Sequence, residues 1–418
     1  MAETQQLQLV DKQRTDLLEK MIDMAHAGPV FGPDVAFGPI NARRRTTIQR
    51  QATQIASGAG EHIYTVFEQA LPEFTPDQVA EKTGELIVKG TAFIPALTAG
   101  ELKKPRRLIP VTVAFLGMYG IDELIDRGDT PTQEAVAAAY GEGARAELDD
   151  NCLPDSPEAR ARSLILTSMR RAIQMFAGNE APDVLPLFED YVLANERTLQ
   201  RYSRRYAVIA ERYSRTIRRQ GDGTYNFLRH HGERIAELMV ADAGFQSVSA
   251  SLHTQYRAQN PDLPTIRELH SNPEMQHLIE VSNAVARVAD ERGDWWMDAG
   301  NDPARGVFSI NPFNQPHPQI INRLCELAGI THFREVAAIN DQFRGFAHSS
   351  KRGDTYDRDQ YGSAITDRFF DRMRVQFAET EARVPEHFST YLALCRRVGE
   401  ISYVNMMGDI AMGGGRQA

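Results

Sequence analysis

Residues Arg106 to Asp126 read RRLIPVTVAFLGMYGIDELID, and the fold class turns on how this apolar run is read. From Leu108 to Ile121 there are 14 residues without a charge, with Pro110 among them. A bilayer span needs about 20 apolar residues. The run therefore predicts a helix buried in a protein core. Its end is acidic: Asp122-Glu123-Leu124-Ile125-Asp126. Asp122 and Asp126 are four residues apart, so on a helix they share a face, and Tyr119 and Phe115 continue that face toward the apolar end. Two like charges at this spacing repel unless a cation bridges them. Oxygen ligands of this kind suit Mg²⁺, which takes carboxylates together with water and phosphate oxygens. The plain alternative is a helix C-terminus running into solvent, with Arg127 and Gly128 at the exit.

Helical spacing of apolar residues recurs outward from this run, and alternating β-branched or aromatic runs are scarce. Leu278, Ile279, Val281, Ala284, Val285 and Val288 return at three- and four-residue steps before Asp290. Ile320, Ile321, Leu324, Leu327 and Ala328 do the same, with Gly329 placed to close the helix. Gly and Pro gather in Gly28 to Gly38, Asp150 to Ser156, Gln259 to Pro264 and Asn311 to Pro318, read as loops between helical blocks and too short to be domain linkers. No repeat of fixed period is found. The expected class is all-α.

A second acidic segment runs from Asn283 to Asp298, NAVARVADERGDWWMD. Asp290, Asp294 and Asp298 form one stripe at a four-residue step, and Asn283, Arg287 and Glu291 form the adjacent one. Two such clusters on core helices are what a site needs to hold divalent ions against a diphosphate, because the metal neutralises both carboxylates and phosphate. The plain alternative is a hydrated face on which Arg287 and Arg292 pair locally.

Together these residues resemble the class I terpene synthases, particularly the microbial single-domain cyclases. Asp122-Glu123-Leu124-Ile125-Asp126 is similar to their aspartate-rich motif. Asn283, Arg287 and Glu291, or Asp290, Asp294 and Asp298, are similar to their second metal motif. The first register keeps its Asn and Glu ends and is followed by Gly293-Asp294, and it is preferred. The middle position, Arg287 or Asp294, departs from the family's hydroxyl residue, which puts one metal site in doubt. Tyr225-Asn226-Phe227-Leu228-Arg229 resembles the segment with the diphosphate-sensing arginine. The C-terminal Arg-Tyr pair of many members is missing from the segment around Tyr403 to Gly415. The likeness covers residues 100 to 405 in element order, in detail only 108–126 and 225–294.

The resemblance implies a single helical bundle of the class I isoprenoid synthase type around an apolar cavity. Residues 46–410 would form this domain, after a partly irregular N-terminal segment, 1–45, and before a disordered tail, 411–418. It implies a lyase that ionises a linear prenyl diphosphate, farnesyl or geranylgeranyl diphosphate, cyclises the carbocation and releases diphosphate. The cofactor would be Mg²⁺, three ions in all. Asp122, Asp126, Asn283, Glu291, Asp290, Asp294 and Asp298 are the candidate metal ligands, with Arg229 and Arg287 as diphosphate donors. Phe115, Tyr119 and Phe308 would line the cavity, where aromatic faces steady passing positive charge. The alternatives are a chain-elongating prenyltransferase and a non-catalytic helical interaction protein.

Composition sets limits on partners. The 418 residues are 42% hydrophobic and 25% charged, enough for a large core and unlike a disordered chain. Lys and Arg number 47 against 56 acidic residues, and the net charge of −9 argues against a nucleic-acid partner. Cys152, Cys325 and Cys395 are far apart and match neither a disulfide framework nor a zinc knuckle. The first residues, MAETQQLQLVDKQR, have no apolar signal core, so a cytoplasmic protein is expected, with a homodimer as the default assembly. The arginine-rich run from Arg197 to Arg219 reads as a solvated helix. Asn340-Asp341 with His348 to Asp354 reads as a mobile loop able to close over the site, and His230-His231 as a surface or hydrogen-bonded pair that does not fit a zinc motif.

Overall fold

The computed structural model describes residues 16, 18–20, 22–23, 30–70, 94–98, 100–126, 157–195, 202, 205–206, 217–299 and 310–415. Among them there are helices and turns and no strand. In chain order the main helices are α1 (Pro33–Ala36), α2 (Ala42–Ala70), α3 (Leu108–Asp126), α4 (Pro157–Ala177) and α5 (Ala181–Asn195). They are followed by α6 (Ile217–Ala241), α7 (Phe245–Arg257), α8 (Ile266–Ser271) and α9 (Pro273–Ala299). The last four are α10 (Pro318–Leu327), α11 (Phe333–Arg352), α12 (Thr355–Glu381) and α13 (Ser389–Gly415). Side chains are described to Met118 in α3 and to Trp295 in α9.

The apolar run forms α3, as its composition requires. Leu108, Val111, Val113, Ala114, Phe115, Leu116 and Met118 are all buried, which is the pattern of a helix enclosed on most sides. Pro110 lies in the first turn, where no intrahelical N–H is lost. The helix packs on α2, α4, α5 and α7. No described helix is long and apolar enough to cross a membrane.

α7 lies at the centre, packing against α3, α4, α5, α9 and α13. Ten of its residues are buried, including Ser247, Ser249, Ser251, His253, Thr254 and Gln255. Buried hydroxyls need acceptors, and the helix supplies them itself. Ser249 donates to the Phe245 carbonyl at 2.9 Å and Ser251 to that of Ser247 at 2.7 Å. Gln255 reaches the Phe176 carbonyl at 3.1 Å. Gly244 (φ 66°) occupies the left-handed region, so the chain turns sharply between α6 and α7.

α9 starts where the sequence stops α8. Thr265 and Glu268 form a reciprocal cap on α8. Asn272 then accepts from the Glu274 and Met275 N–H groups at 3.0 and 3.2 Å, with Pro273 opening the new helix. The stripe Leu278, Ile279, Val281, Ala284, Val285 and Val288 is buried throughout. α9 packs on α6, α7, α8, α10, α12 and α13.

Long-range polar contacts fasten the N-terminal part to α13. Arg397 donates to Glu101 at 2.7 and 2.8 Å and to the Ala36 carbonyl at 2.9 Å, while Tyr256 donates to Glu101 at 2.6 Å. Burial raises the Glu101 carboxyl, but the hydrogen bonds and charge of Arg397 bring it below the usual range. Leu18 and Ile22, inside the segment expected to be partly irregular, are buried in the core.

Two expectations are corrected. Residues 340–354 are not a mobile loop: they are the body of α11, a left-handed Gly353 that closes it, and Asp354, which caps α12 by accepting from Asp357 N at 3.1 Å. The Lys-Arg-Gly-Asp run is thus a helix corner. α13 continues to Gly415, so helix covers residues 411–415, where a disordered tail was expected. Gly329 closes α10 as expected, with Ile330 N donating to the Cys325 carbonyl at 2.7 Å.

Candidate acidic site on α9

The two four-residue stripes of α9 do not share one environment. Asn283 and Glu291 are buried at 6% and 2% exposure, whereas the side chain of Asp290 is 46% exposed. Of the two registers, Asn283, Arg287 and Glu291 is the one turned into the protein. Asp294 is half-buried, and the side chain of Asp298 lies outside the described residues.

Arg287 stands among carboxylates. It reaches Glu291 at 2.5 Å, Asp290 at 2.9 Å and Asp242 at 3.5 Å. The Asp242 side chain is 5% exposed and comes from the α6–α7 turn. Three carboxylates therefore surround one guanidinium. The Asn283 side-chain oxygen is buried with no hydrogen-bond partner. A buried amide oxygen left this way costs free energy unless something donates to it or it ligates a cation. Asn311 holds this part of α9 in place by donating to the Glu291 carbonyl at 2.8 Å, and Asn314 donates to that of Trp295 at 2.7 Å.

The oxygens of Asn283, Glu291 and Asp242 are of the kind a hard divalent cation takes, and the Asn283 side-chain oxygen has no hydrogen-bond partner to compete for it. Arg287 places a positive charge among these oxygens. Among the described residues no three His, Cys, Asp or Glu side chains converge on a single metal position.

The remaining candidates fall in several places. Asp122 and Asp126 are in the last turn of α3, and their side chains, with that of Tyr119, lie outside the described residues. Phe308 also lies outside them. Phe115 is buried in the core. α3 and α9 both pack against α7. Arg229 is exposed on α6, 13 residues before Asp242, which is about 20 Å along a helix axis, so the structure does not bring it to Arg287. His231 packs its ring on Phe227 and Tyr202 at 4.8 and 5.3 Å, a packing role, beside an exposed His230.

Asp242 was not singled out from the sequence. Its one signal is an acidic residue inside the otherwise apolar Leu238-Met239-Val240-Ala241 and Ala243-Gly244-Phe245. Arg292 does not pair locally: it crosses to Asp359 of α12 at 3.4 Å. No protein-family model, no curated protein and no solved structure matches the chain.

Proposed function

We propose that the chain is a Mg²⁺-dependent terpene cyclase of the class I type, a lyase acting on farnesyl or geranylgeranyl diphosphate. The observation that carries the reading is the buried register of α9: Asn283 and Glu291, the two ends of the motif, both face inward. Asn283 and Glu291, with Asp122 and Asp126 of α3, are the residues that would hold the metal. The metal, when bound, supplies the positive charge that lets diphosphate leave an allylic carbon.

The chain's own residues carry the rest. Arg287 is placed to exchange partners, since it contacts an exposed Asp290 as well as buried Glu291 and Asp242. A guanidinium that shifts toward Asp290 frees the Glu291 carboxylate for a cation and offers donors to a phosphate oxygen. Asp242 remains as a fixed negative charge that keeps Arg287 close. Apolar side chains such as Phe115 would keep water from the carbocation.

The test is incubation of the full chain with geranyl, farnesyl and geranylgeranyl diphosphates and Mg²⁺, followed by analysis of extractable hydrocarbons and alcohols. A cyclised product supports the reading. No product from any of the three sinks it. A second reading, a non-catalytic helical interaction protein, is favoured by one observation: Arg287 already neutralises part of the acidic stripe. Under that reading Mg²⁺ with diphosphate leaves the melting temperature unchanged, whereas a site for both raises it.

A further inference from the structure

The face of α9 turned toward α12 carries the opposite charge from the acidic stripe. Arg292 is 2% exposed and Arg358 of α12 is 7% exposed. Both reach the same oxygen of Asp359, Arg292 at 3.4 Å and Arg358 at 3.1 Å. Two buried cations thus share one carboxylate, whose side chain is 53% exposed. The Nε and Nη1 groups of Arg292 are buried and have no hydrogen-bond partner. Buried guanidinium donors with so little to accept them are a costly arrangement for a resting protein.

The surroundings are built for these guanidinium groups. Arg358 stacks over Trp295 at 4.5 Å and Arg292 over Phe346 at 4.9 Å. Trp295 and Phe346 in turn meet edge to face at 5.5 Å. Gly362 of α12 leaves the space: a Cβ there would lie 2.2 Å from Arg292 Nε. The charges acting on Arg292 are one opposite, Asp359, and one like, Arg358, and burial lowers the Arg292 guanidinium to about 10.

We propose that Arg292 and Arg358 form a binding site for a phosphate dianion, either the free ion or the terminal phosphate of a small ester, with Asp359 as the gate that the anion displaces. The two guanidinium charges match a dianion once Asp359 turns out to solvent. The Nε edge of Arg292 packs against Gly362, so its Nη1 and Nη2 groups are the ones that face phosphate oxygens once Asp359 leaves, and Arg358 supplies donors to another oxygen. A single carboxylate, planar and singly charged, leaves one cation unmatched. The site stands apart from the cyclase reading: it uses neither the acidic register of α9 nor a metal.

The experiment is a thermal-shift titration of the full chain, without divalent metal, at constant ionic strength held with chloride. Inorganic phosphate, methyl phosphate and acetate are the probes. Inorganic phosphate is expected to raise the melting temperature saturably, and acetate is expected to have no effect. An equal response to methyl phosphate places recognition in the phosphate group of an ester as well; a response to inorganic phosphate alone restricts the site to the free ion. Arg358→Gln should abolish the shift, and Asp359→Asn should lower the apparent dissociation constant by about tenfold, because the competing charge is gone. Gly362→Ala, which displaces the Arg292 guanidinium, should weaken the response with the helical circular dichroism intact. No saturable shift overturns the proposal. So does a shift that acetate reproduces, or one that Arg358→Gln leaves unchanged.

Discussion

Glu291 and Arg292 are neighbours in the chain, yet a rotation of about 100° around α9 puts them in opposite electrostatic settings. On the side of Glu291, three carboxylates surround the guanidinium of Arg287. On the side of Arg292, two guanidinium groups share the single carboxylate of Asp359. One helix therefore carries an acid-rich face toward α6 and a base-rich face toward α12. A buried helix has no solvent to screen such charge, so each face must draw its balance from the neighbouring element. Asp359 of α12 is that contribution on the base-rich face, half out in solvent, whereas Asp242 adds a further buried carboxylate to the acid-rich one. The lesson is that one helix carries opposite charge on two of its faces, which the two proposals read as a place for a cation on one and for an anion on the other.

The largest expected effects break the acidic face. Asn283→Ala and Glu291→Gln should each cut turnover of the preferred prenyl diphosphate by at least about 100-fold. Asp294→Ala should change it little. Equal losses from Asn283→Ala and Asp294→Ala in steady-state product assays would erase the distinction between the two registers. Asp122→Ala should likewise abolish turnover while helical circular dichroism is unchanged, and full activity would put the metal elsewhere.

Stability sharpens the same comparison. Removing Arg287 with Arg287→Met takes a guanidinium from the buried carboxylates of Asp242 and Glu291 and should cost about 3–5 kcal/mol in denaturant unfolding. Removing Arg292 with Arg292→Met deletes a buried charge whose Nε and Nη1 have no partner, so it should be neutral or stabilising in phosphate-free buffer. If both substitutions destabilise to the same degree, the two faces do not differ in the way described.

A smaller effect compares Glu291 with a buried acid that has no cation. Glu400 on α13 accepts from the Phe31 N–H and holds the N-terminal segment against the helix. Burial pushes its carboxyl up to about 7, although the Phe31 and Val30 backbone donors act to lower it. A carboxyl raised above its unfolded value of 4.5 keeps its proton in the folded state and gives it up on unfolding. Its contribution to stability is therefore best below about 4.5 and declines as pH rises through about 7. Glu400→Gln should raise the melting temperature relative to the wild type at pH 8, with the difference shrinking at pH 5. A difference independent of pH would mean that Glu400 is ionised throughout.

The helices were largely legible because their evidence is local. The uncharged run of α3 and the three- and four-residue spacing of α9 and α10 are properties of single segments, and Asn272 opens α9 and Gly329 closes α10 where the residue types require. The corner at 351–354 was misread for a physical reason: a polar Gly-containing run looks alike whether it is a loop or one left-handed residue between two helices. The site was legible in part. Four-residue spacing grouped Asn283 with Arg287 and Glu291 but could not say which stripe faces inward, because that depends on which neighbours α9 meets. Asp242 and Arg358 come from other helices, and no periodicity within α9 can announce them. The distance between Arg229 and Asp242 follows from α6 being continuous to Ala241, which the turn at Gly244 made hard to foresee.

The most direct measurement is product analysis of the purified chain with geranyl, farnesyl and geranylgeranyl diphosphates, with and without Mg²⁺. The account predicts a cyclic hydrocarbon or alcohol from farnesyl or geranylgeranyl diphosphate, with diphosphate released in equal amount and no product when Mg²⁺ is withheld. Unreacted substrate in every arm, with the chain folded as judged by circular dichroism, would contradict it.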